Sequence, residues 1–116
     1  MKRILTIVLA MTLGTSAFAE SYVGTWSAGS SVGLPRCSED DDNKVVLTSN
    51  SEQGYEHQCK FVRKQQIGAN SWRISASCHG EGEAYKASYT LIVKGNSLIR
   101  KVDGLPTSVM QRCAQR

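Results

Sequence analysis

Four cysteines in a chain of 116 residues, none of them in a Cys-x-x-Cys pair, constrain the fold more than any other feature. Cys59 and Cys78 stand almost symmetrically about the turn-like tract Ile67-Gly68-Ala69-Asn70. If the flanks of that tract pair as an antiparallel hairpin, Cys59 faces Cys78, Phe61 faces Ala76 and Arg63 faces Ile74. Side chains alternate along a strand, so Cys59, Phe61, Ile74, Ala76 and Cys78 share one face. Lys60, Val62, Lys64, Arg73, Ser75 and Ser77 share the other. One face is apolar and the other wet, as a half-buried hairpin requires. Opposed residues lie about 4.5 to 5.5 Å apart at Cα, within disulfide range. A slip of one residue would spoil the pairing and the polarity together. The spacing therefore predicts a Cys59–Cys78 staple and, by exclusion, a Cys37–Cys113 bridge. The spacings also remove the usual zinc-ribbon and thioredoxin signatures.

An oxidising compartment is expected as well. The chain opens Met1-Lys2-Arg3, runs through ILTIVLAMTLGTSAFA and meets its first acid at Glu20. A basic start, a short apolar stretch and a small-x-small end at Ala17-Phe18-Ala19 have the form of a secretory signal peptide. Residues 1–19 are read as that signal and 20–116 as one disulfide-stapled domain, periplasmic or secreted. No later segment is long and apolar enough to span a bilayer as a helix. Losing Lys2 and Arg3 leaves 12 basic residues against 10 acidic, a net of +2. So slight an excess gives little support to nucleic-acid binding. About 97 residues suit one small domain, read as a monomer, which cross-links help to hold.

Short β-branched and aromatic runs succeed one another: 22–27, 44–49, 55–64, 71–78, 84–94, 97–102 and 109–113. Gly95-Asn96 suits a two-residue hairpin turn, and NSEQG reads as a turn between the second and third runs. No tract sustains a 3.6-residue apolar period with caps. The expectation is an all-β fold, a small antiparallel barrel or sandwich of six to seven meandering strands with two disulfides. Trp26, sharing a face with Tyr22 and Gly24, is predicted to be buried, and Trp72 with it.

Gly24-Thr25-Trp26 resembles the opening motif of lipocalin-type barrels and of the small periplasmic protease inhibitors that share their architecture. The resemblance implies a core-closing role for Trp26 near one barrel end. Over most of the mature length, GTW, the tract CHGEGE and the terminal RC together look like small exported proteobacterial proteins with no assigned activity. The chain is much shorter than ordinary lipocalins, which argues against an interior cavity for a large ligand.

Nothing in the sequence assembles a catalytic site, and no cofactor or metal is expected. His57 and His79, the only histidines, fall on opposite hairpin faces and read as surface or strand-end residues. No Gly-x-Ser-x-Gly elbow supports a nucleophile. Glu81 and Glu83 are close in sequence, but lie in one loop rather than across a cleft as glycoside hydrolysis needs. Glu39-Asp40-Asp41-Asp42-Asn43 lacks the Gly and the distal Glu of a calcium loop and reads as a solvated acidic segment. Lys60, Lys64 and Arg73 read as the wet side of the hairpin. The expected function is binding. The loop His79–Glu83, anchored by Cys78, is the candidate contact with a protein target such as a lysozyme or protease, His79, Glu81 and Glu83 being its contact residues. The alternative is a small-ligand or envelope-stress binding barrel using an apolar mouth.

Overall fold

Alternating apolar and polar residues, joined by tight turns, lead this chain into one antiparallel sheet that closes on itself. The computed structural model describes residues 20–29 and 36–113; the expected signal segment lies outside them. Eight strands follow in order: β1 (Gly24–Ser27), β2 (Lys44–Leu47), β3 (Ser51–Gly54), β4 (His57–Gly68), β5 (Ser71–Gly80), β6 (Glu83–Lys94), β7 (Ser97–Val102) and β8 (Ser108–Arg112). Each pairs with the next, and β8 returns to β1, giving an up-and-down barrel. No helix among the described residues is long and apolar enough to cross a membrane.

The barrel has eight strands where six or seven were expected, and the unexpected one is β3. Asn, Ser and Gly favour turns, yet Ser51–Gly54 bridges β2 through Leu47↔Glu52 and β4 through Glu52↔Cys59. Its one buried residue is Glu52, so no apolar alternation announces it. The turn lies later, at Tyr55-Glu56, where Glu56 takes a φ of 59°.

The hairpin of β4 and β5 keeps the expected register from Cys59↔Cys78 to Phe61↔Ala76. A β-bulge at Val62 then shifts the pairing to Arg63↔Ser75 and Lys64↔Ile74, because an extra residue on one strand displaces all that follow. Lys64 consequently leaves the wet face. It is half-buried, bonds the Ser49 carbonyl at 2.7 Å and the Glu20 carboxylate at 2.5 Å, and lies 5.9 Å from the Tyr22 ring centroid.

Both expected disulfides are formed, with Cα separations of 4.0 Å for Cys59–Cys78 and 5.8 Å for Cys37–Cys113. Phe61 donates its N–H to Asn50, so odd-numbered residues in this part of β4 aim their backbones at β3. Cys59 and Cys78 are therefore a non-hydrogen-bonded pair, the closer of the two antiparallel kinds. The acidic segment is only partly solvated. Asp41 is buried and accepts bonds from the Ser27 hydroxyl at 2.7 Å and the N–H groups of Cys37 and Asn43 at 2.6 and 2.9 Å. Burial raises its pKa, but these bonds outweigh burial and leave it lowered. Asp41 thereby shapes the turn that presents Cys37, whose φ is 70°.

Side chains fill the bore, as eight strands permit. Trp26, Tyr22, Tyr89, Leu47, Ile74, Leu91 and Leu98 are all fully buried. Trp72 is buried too, edge-on to Tyr22 with ring centroids 5.0 Å apart. Turns of an up-and-down barrel alternate between its ends, so Ala69-Asn70 and Gly95-Asn96 lie at one end, closed by Tyr22, Trp26 and Arg112. Tyr55-Glu56, Glu81-Gly82 and the 103–107 loop lie at the other, the mouth.

Candidate functional site at the barrel mouth

At the mouth, inward-facing positions turn from apolar to charged. Glu52, alone at the inner face of β3, is fully buried. A carboxylate there needs partners, since an isolated buried charge is prohibitively costly. Arg100 of β7 grips it with two bonds, Nε to Oε1 at 3.1 Å and Nη2 to Oε2 at 2.7 Å. His57, first residue of β4, meets Oε2 through Nε2 at 2.7 Å. Burial pushes the Glu52 pKa up, but the His57 hydrogen bond and the Arg100 charge reverse the balance and hold it below its usual value. The His57 pKa is raised, chiefly by its bond to Glu52 and against its own desolvation.

Local backbone makes this seat possible. Gly54 pairs with His57 across the β3–β4 turn, and a Cβ on Gly54 would sit 2.2 Å from His57 Cε1, a clash that would displace the ring. The Arg100 guanidinium also stacks 4.7 Å from the Tyr89 ring centroid. The Tyr89 hydroxyl is buried with no hydrogen-bond partner among the described residues, and burial, followed by the Glu52 charge, raises its pKa.

Above this floor opens a cleft of about 390 Å³, lined by Tyr55, Glu56, His57, Glu81, Glu83, Tyr85, Arg100 and Leu105 among others. Tyr55, Tyr85 and Leu105 are 58%, 43% and 65% exposed. Three large apolar groups thus stand at one end of the barrel with the acids Glu56, Glu81 and Glu83 between them. Of the predicted contact residues, Glu81 and Glu83 line this cleft, but His79 does not. It pairs with Gln58 on the outward side of β5 and lines a separate depression with Gln58, Lys60 and Ser77. The expected five-residue loop is also shorter. β5 continues to Gly80 and β6 begins at Glu83, leaving the turn Glu81-Gly82 with φ values of 52° and 82°. Such a two-residue turn with both central φ positive fits the twist of its strands.

Chemically the floor is a hydrogen-bonded charge cluster in which one carboxylate is held by a guanidinium and an imidazole. Glu52, His57 and Cys59 place potential ligand atoms within 4.8 Å of one another. The Cys59 sulfur is committed to its disulfide and both Glu52 oxygens are engaged, so this grouping does not suit a metal ion as it stands. Sequence reasoning missed Glu52 and Arg100. One signal was present: a Glu opposite a Cys already assigned to the inner face must itself face inward.

Fold and site define a closed eight-stranded, disulfide-stapled barrel with an acid-rimmed, apolar-studded mouth. Compared with known protein families, curated proteins and solved structures, the chain matches none.

Proposed function

We propose that this is an exported binding protein that docks a basic protein target at the barrel mouth, with a lysozyme as the fitting target class. The observation that carries the reading is the grouping of exposed Tyr55, Tyr85 and Leu105 with Glu56, Glu81 and Glu83 around one cleft. Buried aromatic anchors supply most binding energy at protein interfaces, and surface acids steer a basic partner and raise its on-rate. The tight two-residue Glu81-Gly82 turn, held beyond a disulfide, would lose little entropy on docking. Export fits the two formed disulfides, which persist in oxidising compartments.

The test is a lysozyme activity assay at low salt with the mature protein and a Glu81→Ala, Glu83→Ala double variant. Inhibition by the wild type that weakens at least tenfold in the variant supports the reading. No inhibition at tens of micromolar removes a lysozyme as target. A small cationic ligand is the second reading, favoured by a cleft volume within the usual range for ligand sites. Equilibrium dialysis against simple amines and amidines checks it.

A further inference from the structure

The mouth carries an unused strand edge. β6 pairs with β5 over its whole inner length, from Glu83↔Gly80 to Ile92↔Ser71. Its pairing with β7 begins only at Tyr89↔Val102. The last rung on that side is the Asp103 N–H donated to the Ser88 carbonyl at 3.0 Å. Beyond it β7 turns away through Gly104, and Arg73 grips Asp103 by bonds of 3.1 and 2.6 Å. Because Ser88 aims its backbone at β7, alternation directs the backbones of Lys86 and Ala84 the same way. Neither has a hydrogen-bond partner there among the described residues, and both are exposed.

An open row of N–H and C=O groups is a template for another strand. Resting on the reading of the mouth as a binding surface, we infer that β6 receives an extended segment of the partner protein as an added strand along Glu83–Ala87. Two observations specify the segment. Glu83, Tyr85 and Ala87 line the cleft, so an added strand would project every second side chain over it. With Glu56 and Glu81 also on the rim, those side chains are apolar and basic. Lys86 stands on the outward face between them, so the segment's intervening residues are neutral or acidic. Lys86 also sets like charges against each other if two copies of β6 pair about it, which opposes self-association.

The probe is a synthetic ten-residue peptide with Arg and Val alternating on one face and Thr on the other. A second peptide is N-methylated at the amides that would face β6. Binding to the mature protein is read by isothermal titration, beside Lys86→Pro and Lys86→Ala variants. Proline removes only an N–H that the β5–β6 ladder does not use, a placement edge strands tolerate. The expected result is binding lost at least tenfold with the methylated peptide and with Lys86→Pro, and retained by Lys86→Ala. No binding of the unmethylated peptide at millimolar concentration overturns the inference. So does binding indifferent to methylation and to Lys86→Pro. If the Glu81→Ala, Glu83→Ala variant still abolishes binding of a basic target in that event, the mouth remains the docking surface and only the added strand is refuted.

Discussion

Across the barrel seam, the guanidinium of Arg112 lies 4.2 Å from the ring centroid of Trp26 and donates bonds to the carbonyls of Ser21 at 2.8 Å and Val23 at 3.2 Å. Trp26 returns a bond from Nε1 to the Tyr22 carbonyl at 2.8 Å. The last strand thus locks the first, and the chain before it, over the closed end. Gly24 is required here: its φ is 147°, and an added Cβ would sit 2.7 Å from Arg112 Nη1.

That lock sets the first prediction. Trp26→Ala is expected to cost about 3 to 5 kcal/mol, as large aromatic truncations in cores do. Arg112→Ala is expected to cost about 2 kcal/mol, combining a cation–π contact with charge-assisted hydrogen bonds. Urea denaturation measures both. A loss within about 0.5 kcal/mol for Trp26→Ala would place that residue outside the core.

Part of the fold was legible in the sequence. GTW pointed to a buried Trp26, and the Cys59/Cys78 symmetry gave the hairpin register up to Phe61. What was not legible has common causes. A bulge leaves no mark in a strand's composition, so Val62 and the turned face of Lys64 were missed. β3 hid because its inward residue is charged, and Glu52 makes sense only once Arg100, 48 positions away in sequence, is brought beside it. Long-range charge pairing has no period to read.

The Glu52 cluster predicts a pH optimum. The folded Glu52 pKa is lowered, so its contribution is present above the unfolded carboxylate value of about 4.3 and lost as pH falls through the folded one. The folded His57 pKa is raised, so its contribution is full below about 6.5 and lost as pH rises through the folded value. The cluster should stabilise most between about pH 4.5 and 6.5. His57→Gln should flatten the alkaline decline in thermal melts, and Gly54→Ala should do the same by unseating the ring. An unchanged profile in both would show that His57 does not pair with Glu52 in solution.

Tyr89 provides a test in the opposite direction. A buried hydroxyl without a partner costs free energy, and removing it without changing shape is nearly neutral or stabilising. Tyr89→Phe is therefore expected to change stability between about zero and 1 kcal/mol in the favourable direction. A loss above about 1 kcal/mol would mean that the hydroxyl holds a bond, most simply to Glu52.

The two cross-links should be unequal. Cys37–Cys113 spans 76 residues and Cys59–Cys78 spans 19. Loop-closure entropy then gives about 4.5 kcal/mol for the first and about 3 for the second. Paired Cys→Ala variants compared in urea should show the larger fall for Cys37→Ala, Cys113→Ala. The reverse order would indicate that the hairpin staple acts through native packing rather than through the unfolded chain.

Docking at the mouth, and not at the closed end, is the proposal on which the rest depends. Amide chemical-shift mapping of labelled residues 20–116, titrated with a basic lysozyme at low salt, separates the two ends. Shifts are expected to concentrate at Tyr55, His57, Glu81, Tyr85 and Leu105, all lining one cleft, and to be absent at Ala69, Asn70 and Asn96. Shifts clustered at those three residues, or none anywhere at tens of micromolar, would contradict it.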